Sequence, residues 1–104
     1  MGGGSDERHV SLRAAEGVHV HAALRADGAL VVEGQLLRPG MPEYEYVVTL
    51  PAGQVPALVA ALGVAGEGEL LPELLRRSEE ITPRVHGWLC DLGLRPELWT
   101  HLGG

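Results

Sequence analysis

The chain has 104 residues, 45% of them hydrophobic and 21% charged, with a formal net charge of −6. That length gives one domain with a sizeable core, and the acidic balance, with only Arg76 and Arg77 adjacent, argues against a nucleic-acid backbone as the main partner. Cys90 is the only cysteine, which rules out an internal disulfide, and no apolar run approaches the length of a membrane span.

Lys, Asn and Phe are absent, and Ile81 is the only isoleucine. These residues share AT-rich codons, so their joint depletion points to a GC-rich bacterial genome. The N-terminal stretch contains no apolar segment of the kind a secretory leader needs. Residues 1–8 read as a flexible lead-in to a single domain over residues 9–102, expected to be cytoplasmic.

Alternation with a period of two begins at Val10. Val10, Leu12 and Ala14 share one face of a first strand, with Ser11 and Arg13 on the other. A second apolar row, Val18, Val20, Ala22 and Leu24, is opposed by His19, His21 and Arg25, and a third strand runs over residues 29–37. The segments Ala15-Glu16-Gly17 and Ala26-Asp27-Gly28 look alike and predict two consecutive hairpins. A two-residue Asp-Gly loop would set Ala22 against Glu33 and mix the faces. A three-residue loop with Gly28 left-handed instead pairs Leu24 with Leu30, Ala22 with Val32 and Val18 with Leu36. The same rule applied to the first hairpin pairs Ala14 with Val18, Leu12 with Val20 and Val10 with Ala22. A slip of one residue would reverse every side chain, so face matching selects this register.

Residues 38–42 read as a loop. A fourth strand over residues 43–50 places Tyr44, Tyr46, Val48 and Leu50 on one face and Glu43, Glu45, Val47 and Thr49 on the other. The period then becomes helical. Val55, Leu58, Val59 and Leu62 make one helix, stopped by Gly63, and Leu70, Leu71, Leu74 and Leu75 make a second, with Pro72 in its first turn. Thr82 is placed as the N-cap of a third helix, with Pro83 at its first position. Val85, Trp88, Leu89 and Leu92 form that helix's stripe, closed by Gly93. Pro96 opens a last short helix carrying Leu98, Trp99 and Leu102. The expected fold is α+β: a four-stranded antiparallel sheet of two consecutive hairpins plus a fourth strand, followed by about four short helices packed on one face.

This register gathers the candidate binding residues Arg13, His19, His21, Glu33 and Glu45 on the polar face, with Ser11 and Gln35 beside the histidines. Two imidazoles at i, i+2 near a carboxylate are the donor types that zinc takes, although an outward strand face carries the same pattern for solubility alone. His86 and Cys90, at i, i+4 on one helix, form the minimal couple for an activated thiol, but no oxyanion donors accompany them. The Glu43-Tyr44-Glu45-Tyr46 run reads either as a contact strip for a basic partner or as strand residues with the tyrosines facing the core. There is no phosphate-binding glycine loop, nucleophile elbow or His-Glu-x-x-His helix.

Ala23, Val31, Leu37 and Val47 make the outer face half apolar, which implies cover by a second copy, a partner protein or one of the chain's own helices. The functional expectation is a small acidic, non-enzymatic protein that binds and regulates or neutralises another protein, as immunity proteins and antitoxins do. A protein partner or a homodimer is expected, with no nucleic acid, no membrane and no cofactor. Two alternatives stand beside it: a small-molecule or metal-binding module using His19, His21 and Glu33, and an enzyme based on Cys90 and His86.

Overall fold

A computed structural model describes residues 8–15, 17–37 and 39–102. The flexible lead-in expected over residues 1–8 lies outside these, except for Arg8, as do Glu16 of the first turn and Arg38 of the loop after the third strand.

The chain folds as an α+β domain. Five strands, β1 (Arg8–Ala15), β2 (Val18–Leu24), β3 (Leu30–Leu36), β4 (Tyr44–Leu50) and β5 (Glu97–Leu102), form one antiparallel sheet in sequence order. Between β4 and β5 run α1 (Val55–Leu62), α2 (Leu70–Arg76), α3 (Ser78–Ile81) and α4 (Val85–Asp91), with 3-10 turns at Ala52–Gln54 and Glu67–Glu69. The core joins the inward row of the sheet, including Val20, Ala22, Leu24, Leu30, Val32, Val48 and Leu50, to Val55, Leu58, Leu70, Leu74, Ile81, Val85 and Leu89. Among the described residues, no single helix is long and apolar enough to cross a membrane.

The second hairpin has the expected register, with Leu24 opposite Leu30, Ala22 opposite Val32 and Val18 opposite Leu36. Its turn is the three-residue type: the Gly28 N–H donates to the Arg25 carbonyl, the Arg25 N–H to the Ala29 carbonyl, and Gly28 has φ +95°. The Asp27 carboxylate accepts from the Ala29 N–H and holds the bend.

The first hairpin differs. Ala15 pairs with Val18, so the connection is the two residues 16–17 rather than three. That turn puts the end of β1 out of phase with the core, and a β-bulge between Ser11 and Arg13 restores the phase. Val10 then meets Ala22 as expected, whereas Arg13 lies opposite Val20 and Ala14 opposite His19. Leu12 and Arg13 together face Val20, as the two residues of a bulge face one partner. Burial of Leu12, which is 5% exposed, rewards the correction.

Two helical expectations are also corrected. Residues 97–102 form a strand, not a helix, so the sheet has five strands rather than four. Leu98 and Leu102, four apart, share a face in a strand as well as in a helix. The segment is too short to sustain a helix alone, and pairing satisfies the otherwise open edge of β4. Thr82 ends α3, its N–H donating to the Ser78 carbonyl, rather than capping α4. Ile81, 1% exposed, anchors the additional turn, and Pro83 stops it.

Gly34 lies opposite Tyr46, and a Cβ added there would stand inside the Tyr46 ring. The missing side chain is what lets that ring lie flat on the sheet. On α2, Glu73 is almost buried and accepts hydrogen bonds from Arg76 (3.1 and 3.2 Å) and Arg77 (2.6 Å). The bonds from Arg76, then the one from Arg77, hold its carboxyl below the ordinary 4.5.

Gly34→Ala is expected to cost about 1–3 kcal/mol in urea unfolding, but under about 0.5 kcal/mol when introduced into Tyr46→Ala. A carboxylate with a lowered folded pKa contributes stability above its unfolded pKa and loses it as pH falls through the folded value. Glu73→Gln is therefore expected to be less stable than the parent at neutral pH. The gap should close as pH drops below about 4.5, measured by urea unfolding across that range.

Candidate functional site

The antiparallel registers carry two rows of side chains across the outer face of the sheet. One runs Ser11, His21, Glu33, Val47, Trp99, and the next runs Ala14, His19, Gln35, Glu45, His101. Directly opposed side chains on one face stand about 5 Å apart, so each row is a continuous strip of contacts. The helices pack on the other face, which removes the chain's own helices as a cover for this one.

Four of the five candidate binding residues, His19, His21, Glu33 and Glu45, line one shallow recess of about 290 Å³ together with Gln35, Val47 and Trp99. His21 Nε2 lies 3.4 Å from Glu33 Oε1, with both side chains about half exposed. The Gln35 amide donates to the carboxylates of Glu43 and Glu45 and so fixes the acidic side of the recess. On the edge strand, the Trp99 and His101 rings stack in parallel with centroids 5.8 Å apart, and Trp99 is 53% exposed.

Arg13 is not in this recess. The bulge in β1 carries it to the opposite face, where it lines a cleft of about 640 Å³ between the sheet and residues 82–87. The expectation that Arg13 stands with His19 and Gln35 is thereby overturned, and Ala14 takes its place in the row. Tyr44 and Tyr46 lie on the same inner side as Arg13, their ring centroids 6.2 Å apart. Burial, and secondarily the neighbouring Tyr44, raises the Tyr46 pKa above 10.0, so its phenol stays a neutral hydrogen-bond donor.

Among the described residues, no group of three His, Cys, Asp or Glu side chains converges at metal-ligand spacing. His19 and His21 are two residues apart on a strand, about 7 Å along its axis, and each faces a different cross-strand neighbour. His86 and Cys90 do meet, with Cys90 Sγ 3.9 Å from His86 Nδ1 on the exposed side of α4. No third side chain among the described residues hydrogen-bonds to either, so the base of that couple has no orienting partner.

Reading residues 97–102 as a helix concealed Trp99 and His101 as members of the outer face. The signal that would have found them is the alternation Glu97, Trp99, His101 against Leu98, Thr100, Leu102. No protein-family model, no curated protein and no solved structure matches the chain.

Because the His21–Glu33 pair is half exposed, its contribution to folding is small. His21→Ala and Glu33→Gln are each expected to shift the unfolding free energy by less than about 0.5 kcal/mol in urea titrations, which makes them clean probes of binding.

Proposed function

We propose that the protein is a non-enzymatic, cytoplasmic interaction protein that binds and regulates or neutralises a basic partner protein, as immunity proteins and antitoxins do. The outer sheet face would be its contact surface. The observation that carries this reading is the composition of the recess: Glu33 and Glu45 stand beside the exposed Trp99, with no arginine or lysine among the described lining residues. An Arg or Lys side chain of the partner would enter between the carboxylates and lie against the indole, combining charge attraction with a cation–π contact. Apolar Val47, opposite Trp99, extends the contact around that charged centre. The net charge of −6 favours the same partner at longer range, because it steers a cationic surface toward this one.

The exposed free thiol of Cys90 fits a reducing compartment. On the outer face Glu33 stands against His21, but among the described residues no hydrogen bond joins the Ser11 hydroxyl to that imidazole, and the His86–Cys90 couple has no orienting group, so neither set is assembled for hydrolytic chemistry.

Quantitative capture from a lysate of the source cell tests the proposal, using the wild type, Trp99→Ala and the Glu33→Gln/Glu45→Gln double variant as baits. The expected result is one basic protein whose affinity falls at least tenfold with either variant and weakens as salt rises. A partner held equally by all three baits would refute this reading. So would a Trp99-dependent homodimer in sedimentation, since a second copy would then occupy the face.

A further inference from the structure

The helical layer covers only part of the inner sheet face. Toward Val18, Leu36, Tyr44 and Leu102 the helices give out, and the cleft of about 640 Å³ opens there. Val18, Val20, Leu36 and the tyrosine pair make its floor, and residues 82–87 its wall. Gly34 shapes that floor by leaving the space in which the Tyr46 ring lies. Its volume falls within the range of about 300–1,000 Å³ typical of small-molecule sites.

The polar groups of the cleft are one-sided. Among the described residues no Asp or Glu lines the cleft, whereas Arg13, Arg84 and His86 do. Arg84 is committed to Asp91 at 2.8 Å. Arg13 makes no ion pair to another described residue, and it enters the cleft only because the bulge turns it inward beside Val20. The Tyr44 and Tyr46 hydroxyls make no hydrogen bond to another described residue and stand as donors over the same floor.

We propose that this cleft binds a small organic anion with an apolar body. The apolar part rests on Val18, Leu36 and the tyrosine rings, and the carboxylate or sulfonate end meets the Arg13 guanidinium, with a tyrosine hydroxyl within reach as a second donor. Charge decides the ligand class: a guanidinium in a cleft with no carboxylate among its described lining residues selects for an anion, and the apolar floor selects against a strongly hydrated one. The site is on the face opposite the acidic recess and shares none of the residues proposed to bind the protein partner.

The test uses two fluorescent probes with the same ring system, 8-anilinonaphthalene-1-sulfonate and uncharged N-phenyl-1-naphthylamine. The wild type is expected to bind the sulfonate saturably with one site per chain. Arg13→Gln, an exposed substitution that preserves the fold, should weaken the sulfonate at least tenfold and leave the uncharged probe within about twofold. Val18→Trp, which fills the floor, should weaken both, and Arg25→Gln on the outer face should change neither. No saturable sulfonate site, an Arg13→Gln protein that binds it as well as wild type, or an equal loss with Arg25→Gln would each overturn the proposal.

Discussion

The extra residue in β1, where Leu12 and Arg13 together face Val20, reverses the alternation of the strand partway along its length. On the Ala15 side of the bulge the pairing follows from the two-residue turn at 16–17; on the Val10 side it follows from the core. A regular strand could satisfy only one of these. With the turn fixed and no bulge, Val10 would face solvent and its polar neighbours the core, which costs far more than one unpaired position in the ladder. The turn is in turn tied to the rest of the sheet, since the Gly17 carbonyl accepts from the Leu37 N–H at 2.7 Å.

That local irregularity sorts the charges of the molecule. Turning Arg13 inward leaves the two cross-sheet rows with acids, histidines, Gln35 and Trp99 and without a fixed cation at their centre. It places the same cation at a stretch of the inner face that the helices leave open, where a long side chain can lie along apolar surface with its head in water. One residue of slippage thus produces an acidic, aromatic outer surface and a cationic, apolar cleft on opposite sides of one thin sheet.

Much of this was legible in the sequence, and the parts that were not share a cause. The second hairpin could be read because Leu24, Leu30, Val32 and Leu36 leave one register that keeps faces consistent, and Gly28 marks its turn. Helix α1 was legible from Val55, Leu58 and Leu62 and its Gly63 stop. The first hairpin was not, because two solutions share the pairing of Val10 with Ala22 and the burial of Leu12. They differ only in whether Arg13 or Ala14 faces in, and alternation favours the alanine. A bulge has no residue signature strong enough to oppose that. Strand β5 was misread for a similar reason, since a spacing of four is even and fits both a strand face and a helix face. Of the recess, His19, His21, Glu33 and Glu45 followed from strand alternation alone, whereas Trp99 depended on recognising β5.

The inward placement of Arg13 is the point at which the two proposed surfaces separate, and nuclear Overhauser contacts from its side-chain protons measure it directly. Contacts to the methyl groups of Val18 and Val20 are expected, with none to the side chains of His19 or Gln35. Strong contacts to His19 and Gln35 would place Arg13 on the outer face, remove the bulge, and contradict both the acidic recess and the anion cleft at once.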